Sequence, residues 1–312
     1  MDDADIRVIT GPTAAGKSAV ALWLAERFDC TIISADSRQI YRGFDVGTAK
    51  PTADEQHRAP HRGIDVVEPT ERYSAAAWAH DAERWIAEAE GAGRTPLVVG
   101  GTGLYLRALF EGLFDEPSLD AVRRSALAAV LDEMATPDLE RWVRTLDPGR
   151  AHLGRTQLLR AIEIALLTGA RISDLHRERR RHGTRRARYL VVDPGPVLAE
   201  RIASRIDRML EAGWLDEVRR LASSTPADAP AWKGTGYRAL RDVIDGTVDV
   251  ERGKELVLYE TRQYAKRQRT WFRHQLSAAR VTTLNPETSD WTDDVARWFE
   301  GARRTVTDES TR

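Results

Sequence analysis

Near the start of the chain, Gly11-Pro12-Thr13-Ala14-Ala15-Gly16-Lys17-Ser18 fits G-x-x-x-x-G-K-[ST] without a mismatch. The glycines let the backbone wrap so that successive N–H groups point at phosphate oxygens, and a helix beginning at Lys17 adds the favourable end of its dipole. Lys17 supplies a point charge. The Ser18 hydroxyl is of the type that holds Mg²⁺ beside bound phosphates. The motif says that a phosphate or diphosphate is gripped; ATPases, GTPases and small-molecule kinases all share it, so it does not name a reaction.

A second group of residues sits at strand ends. Thr31 to Ser34 reads as a strand running into Ala35-Asp36-Ser37-Arg38-Gln39-Ile40-Tyr41. In an open parallel sheet the active site gathers at the carboxyl ends of strands, which brings Asp36 to the P-loop. There it is a general base, a water-mediated Mg²⁺ ligand, or a turn-capping aspartate, and position alone leaves all three open. Gly47-Thr48-Ala49-Lys50-Pro51 follows as a turn-rich loop. Gly100-Gly101-Thr102-Gly103-Leu104-Tyr105 closes another strand and offers the Thr102 hydroxyl. Arg201 and Arg205, one helical turn apart, are placed to reach a diphosphate or to pair with nearby acids.

The third feature is a row of cations. Arg262, Lys266, Arg269 and Arg273 recur at steps of four, three and four, so they share one face of a helix. Tyr264 and Trp271 fall on roughly the opposite side, where packing is expected. No acid lies from Thr261 to Arg280, which favours a phosphate-backbone track over an ordinary solvated face. Arg177 to Arg188 holds seven arginines in twelve residues, and on its own reads as a solvated linker.

The elements that must carry these groups alternate strand and helix through the first third: Ile6 to Thr10, Lys17 to Phe28, Thr31 to Ser34, a helix capped by Ser74 and running to about Glu90, then Pro96 to Val99. That pattern predicts a parallel sheet covered by helices. From about Ser118 to His182 only helical patterns occur. A strand returns at Tyr189 to Val192, helices are expected over Val197 to Leu221, Gly236 to Ile244 and Val250 to about Gln275, and Val281 to Leu284 is a final short strand. The fold expected is an α/β parallel-sheet core carrying the P-loop, 1–117 with 187–312, interrupted by an all-helical insertion at 118–186. The polar tail after Gly301 is expected to fray.

Bulk properties agree with a soluble enzyme. The 312 residues carry a net charge of −1, so any nucleic-acid contact must come from local patches rather than a global basic field. One cysteine, Cys30, excludes a disulfide framework and a cysteine-based zinc site within one chain. The acidic start lacks a signal-peptide pattern, and no apolar run reaches the roughly 18–20 residues that span a bilayer. A cytoplasmic location without membrane attachment is expected.

Taken together the motifs resemble those of the tRNA dimethylallyltransferases. The match runs in order through the P-loop, Asp36-Ser37, Ile40-Tyr41, Gly47 to Pro51, Ala59-Pro60-His61-Arg62, Tyr73-Ser74-Ala75, Gly100 to Tyr105 and Gly236-Tyr237-Arg238. It ends in Thr261-Arg262-Gln263-Tyr264-Ala265-Lys266-Arg267-Gln268 with Thr270-Trp271-Phe272-Arg273. The resemblance implies transfer of a dimethylallyl group from dimethylallyl diphosphate to the exocyclic N6 amine of the adenosine just 3′ of the anticodon. The tRNAs implied are those reading codons that start with U, and diphosphate is released. It implies Asp36 as general base, Thr102 beside the target base, and the P-loop, Arg205 and Mg²⁺ on the diphosphate. Contacts to the tRNA anticodon stem-loop are implied for Asp36, Ser37, Arg38, Gln39, Thr102, Arg123, Gln157, Arg160, Lys233, Gly236, Tyr237, Arg238, Lys266, Arg267, Arg269 and Arg273, in a monomer. Leu153 to Leu159 departs from the family pattern, with Gln157 where an arginine is usual. Trp232-Lys233-Gly234-Thr235 is also atypical. A P-loop kinase for a small metabolite or nucleoside, a prenyl transferase acting on free adenine nucleotides, and a nucleotide-gated RNA-binding protein remain the rival readings. Each leaves the basic helix, or Asp36 and Thr102, without a task.

Overall fold

A computed structural model describes residues 5–112, 117, 119–178, 185–288 and 291–301. The expected fraying of the tail, and the centre of the arginine run at 179–184, lie outside the described residues. The chain divides into two compact units, 1–110 with 184–312, and 111–183.

The first unit is built on six parallel strands in the order β3-β2-β4-β1-β5-β6. They are β1 (Ile6–Thr10), β2 (Cys30–Ser34), β3 (His61–Arg62), β4 (Thr95–Val99), β5 (Ala187–Val192) and β6 (Val281–Leu284). β1 and β2 are buried along their whole length, as expected for a sheet covered on both faces. Between β1 and β5 run α1 (Lys17–Phe28), α2 (Ala53–Arg58), α3 (Ala75–Gly91) and α4 (Gly103–Phe110). The Ser74 hydroxyl caps α3 by accepting from Ala77 N at 3.0 Å, and Thr52 and Glu55 form a capping box on α2. β1 lies between β4 and β5, so the crevice at the carboxyl ends of β1 and β4 is the switch point where α/β sheets bind ligands.

The second unit is helical: α5 (Ala121–Asp132), α6 (Thr136–Leu146), α7 (Arg155–Thr168) and α8 (Ile172–Glu178). Leu131, Leu139, Val143, Leu158, Ala161 and Ile162 form its core.

After β5 come α9 (Leu198–Glu211), α10 (Trp214–Ser224), α11 (Tyr237–Ile244), the 26-residue α12 (Val250–Gln275) and, after β6, α13 (Trp291–Glu300). The single helix expected from Val197 to Leu221 is two helices. Gly213 adopts φ 88°, a left-handed conformation that ends α9 and turns the chain so that Trp214 is buried at the start of α10. β3 was not expected; two residues are too few to show an alternating pattern. α12 buries Gly253, Val257, Ala265, Gln268 and Phe272, a stripe in helical register that includes one polar side chain. Among the described residues, no helix is long and apolar enough to cross a membrane.

Candidate active site

The P-loop joins β1 to α1 with Gly11 and Gly16 at φ 143° and 101° and Ala14 at φ 62°. No side chain caps α1, so its first N–H groups face the loop. Lys17 Nζ donates to Gly11 O at 3.0 Å and Pro12 O at 2.8 Å, which folds the lysine across its own loop. Burial, aided by the Arg205 guanidinium and opposed by Asp36, lowers its pKa to about 8. Arg205 is also pulled below its ordinary value by burial, against the pull of Asp36. Two further arginines of α9 attend the loop. Arg201 donates to Ala15 O at 3.1 Å and pairs with Glu287, and Arg208 lines a cavity of about 240 Å³ with Ala14 to Ala19, Arg201 and Arg205. Ser18 is exposed at that mouth.

Asp36 leaves the end of β2, and its Oδ1 accepts from Arg38 N at 2.8 Å, an Asx-type turn that fixes the carboxylate. Thr102, after β4, is tied to the same turn: its N donates to Ala35 O at 3.2 Å and its Oγ1 accepts from Ser37 N at 3.1 Å. Tyr264 of α12 completes the group, its hydroxyl bonded to Thr102 and raised to about 12 by burial and the nearby Asp36 carboxylate. Tyr264 therefore does not simply pack, as its place opposite the cation row suggested; it faces the site. Trp271 does pack, over the backbone at Gly103.

Two cavities meet here. One of about 720 Å³ runs from Thr13, Lys17 and Ser18 to Asp36 and Arg205, and has an apolar side at Ala21, Leu22, Ile32 and Val99. The other, of about 250 Å³, is lined by Ser37, Arg38, Lys233, Thr235 and Arg267. Thr13, Asp36, Thr48, Arg205, Met209 and Tyr264 belong to both. Such a partition gives an anionic, partly apolar molecule and a second, polar one access to the same carboxylate from two sides.

The residues expected at the site fall into three groups. Gly11 to Ser18, Asp36, Ser37, Arg38, Thr102, Lys233, Arg205 and Arg267 converge on these cavities or their immediate walls. Exposed Arg238, Arg262, Lys266 and Arg273 lie on neighbouring helix surfaces. Others make hydrogen bonds within the protein, and of these Gln39 lines the larger cavity and Tyr237 the smaller. Tyr237 is 1% exposed and donates to Glu217 at 2.6 Å. The Gln39 amide accepts from Ser34 Oγ and donates to Thr48 O and Ala49 O. Gly236 N donates to Glu260. Arg269 grips Asp193 with Nε, at 2.9 Å, and Nη2, and also donates to Gly195 O. The basic row thus contains one structural ion pair. In the second unit, Gln157 caps α7 by accepting from Gly154 N, Arg160 pairs with Glu163 at 2.8 Å, and Arg123 is exposed.

Sequence reasoning passed over Gln268, Arg208 and Glu217. Gln268 accepts from Thr13 N at 2.8 Å and donates to Gly101 O at 2.9 Å, locking the P-loop to the β4 turn. Its signal was available: a glutamine in the apolar stripe with Ala265 and Phe272 is a buried amide that must find partners. Among the described residues there is no group of three or more histidine, cysteine or acidic side chains suited to a metal. Mg²⁺ held by a serine hydroxyl and phosphate oxygens, with waters completing its shell, needs no such group.

Residues 39–275 match the family model "IPP transferase", and residues 4–62 match "Isopentenyl transferase". A tRNA dimethylallyltransferase of Stenotrophomonas maltophilia is 41% identical over 287 residues, covering 86% of this chain and 90% of the relative. One from Rhodospirillum centenum is 43% identical over 283 residues, covering 88% and 90%. Among solved structures, the tRNA isopentenylpyrophosphate transferase of Bacillus halodurans superposes with a TM-score of 0.71 at 31% identity, covering 99% of this chain and all of that one. A eukaryotic dimethylallyltransferase acting on tRNA reaches 0.80 at 24% identity, covering 97% and 80%, a likeness of fold.

Proposed function

The chain belongs to the IPP transferase family and is a tRNA dimethylallyltransferase by that kinship, and on this premise we propose how its residues carry the reaction. The observation that supports the reading is the meeting of two cavities at Asp36, Arg205 and Tyr264. Dimethylallyl diphosphate occupies the larger one, with its diphosphate on the P-loop N–H groups, Lys17 and Arg205, and its prenyl chain toward the apolar side. The adenosine 3′-adjacent to the anticodon, in tRNAs reading codons that start with U, enters the smaller one after leaving its stack, at a cost of a few kcal/mol.

The exocyclic amine is a weak nucleophile because its lone pair is delocalised into the ring. Asp36, held by Arg38 N, accepts the N6 proton as the N6–C1 bond forms. The C1–O bond breaks and its electron pair leaves with the diphosphate. Negative charge then grows on the leaving group, where Lys17, Arg205 and oriented N–H groups stabilise it without reorganising. Thr102, fixed to Ser37 N and Tyr264, orients the base against Asp36. Ser18 would hold Mg²⁺, which would supply additional charge neutralisation at the leaving group. Exposed Lys233, Arg238, Lys266, Arg267 and Arg273 hold the RNA backbone. On this reading the enzyme works as a cytoplasmic monomer. Transfer of labelled dimethylallyl to a tRNA whose anticodon is followed by adenosine tests the proposal. Transfer to free AMP in place of tRNA, or ATP-dependent phosphorylation of a small molecule, contradicts it.

A further inference from the structure

The 45–51 loop walls both cavities: six of its residues line the larger and Gly47 and Thr48 line the smaller. It is a turn with no strand or helix to satisfy its backbone, so its polar groups must find partners elsewhere. The carbonyls of Thr48 and Ala49 accept from Gln39. The N–H groups of Asp45, Val46 and Gly47 converge on one carboxylate, Glu217 of α10, at 2.9, 2.7 and 3.3 Å. Three successive N–H groups around an anion form a nest, here filled by the protein's own side chain.

Glu217 is 5% exposed and lines neither of these two cavities. Its fourth hydrogen bond comes from Tyr237, the first residue of α11, whose hydroxyl is held far above its ordinary pKa by burial and by this carboxylate. α11 directly follows Lys233, Gly234 and Thr235, which line the smaller cavity. Gly47 is pressed against Trp214 and Tyr237: a Cβ there would lie 2.0 Å from Trp214 Nε1 and 2.6 Å from Tyr237 Cζ. One buried carboxylate therefore ties the wall of the larger cavity to Tyr237, which itself lines the smaller.

We infer that Glu217 is a positioning residue for prenyl transfer, acting through the 45–49 backbone to set the width of the donor cavity; the inference rests on the donor assignment above. A carboxylate that only stabilised the fold would affect the fraction of folded enzyme and leave the Michaelis constants of folded molecules alone. A positioning carboxylate moves KM for the donor.

The test is steady-state transfer by the full chain, with dimethylallyl diphosphate and an anticodon stem-loop RNA, on E217Q and Y237F, with rates normalised to folded protein by thermal denaturation. E217Q keeps the volume but replaces one acceptor oxygen with a donor NH₂ facing the N–H groups of the nest. KM for dimethylallyl diphosphate is expected to rise about tenfold, the scale of one charge-assisted hydrogen bond, with a smaller fall in kcat. Y237F removes one hydrogen bond and keeps the ring, and is expected to raise the same KM about two- to threefold. A wild-type donor KM in folded E217Q, whatever its Tm, overturns the inference. If E217Q does not fold, Y237F decides: a raised KM supports it and an unchanged KM overturns it. Absence of transfer by the wild-type enzyme would overturn the donor assignment itself and is read separately from the variants.

Discussion

The main-chain N–H of Thr13 donates to the side-chain oxygen of Gln268 at 2.8 Å, across 255 residues of sequence. The same amide donates to Gly101 O at 2.9 Å, so one buried side chain of α12 spans the crevice between the ends of β1 and β4. The phosphate grip and the Thr102 turn are thereby held in register by the helix that also carries the basic row. The phosphate grip and the proposed RNA-binding row share a scaffold.

Gln268→Ala strips partners from a buried N–H and a carbonyl. We expect a loss of roughly 2–3 kcal/mol of stability, measured by denaturant unfolding, and a higher KM for the donor. Gln268→Glu keeps the acceptor for Thr13 and loses the donor to Gly101, so it should fall between wild type and Gln268→Ala at neutral pH. Equal stability in all three proteins would remove Gln268 from this role.

Lys17 carries a pH prediction. Its pKa is lowered to about 8 by burial and the Arg205 charge. The cation grips diphosphate, so binding to the free enzyme is favoured below that pKa and weakens as pH rises through it. Since kcat/KM reports the free enzyme, its profile for the donor should bend downward near pH 8. In Lys17→Arg the guanidinium stays charged, and that bend should vanish even where the overall rate falls. An identical alkaline limb in both proteins would assign it to another group.

The basic row separates into two kinds of residue. Lys266→Ala with Arg273→Ala removes two exposed cations and should lower the magnitude of the salt slope of tRNA binding by about one to two. Arg269→Ala breaks the pair with Asp193 and leaves that carboxylate without its partner, so it should lower Tm while the salt slope stays near wild type. Reversal of the two outcomes would place Arg269 on the RNA.

Much of this was legible because local chemistry declares itself locally. The P-loop announces a phosphate by its glycines, lysine and serine, and the runs at Ile6, Thr31 and Tyr189 announce strands by apolar content. Asp36 and Thr102 could be placed because parallel strands present their carboxyl ends to one crevice. What escaped depends on tertiary partners. Nothing near Glu217 in the sequence distinguishes it from a surface acid, because three of its four partners are backbone groups some 170 residues away. Arg269 read as one of four equivalent cations because spacing fixes the helix face and says nothing of Asp193. Tyr237 lines the smaller cavity, yet its hydroxyl is taken up by Glu217, a partner that spacing does not reveal.

The central claim is that Asp36 works at the junction of a donor cavity and a base cavity to move a prenyl group. Asp36→Ala, compared with wild type in single-turnover transfer and in equilibrium binding of the same tRNA, tests it most directly. We predict that the first-order transfer step slows by at least about a hundredfold, the scale of general-base catalysis. The tRNA Kd should stay near wild type, and the modified nucleoside formed by wild type should be N6-dimethylallyl adenosine beside the anticodon. Parallel loss of binding and rate would make Asp36 a recognition residue, and an unchanged transfer rate with intact binding would contradict the account.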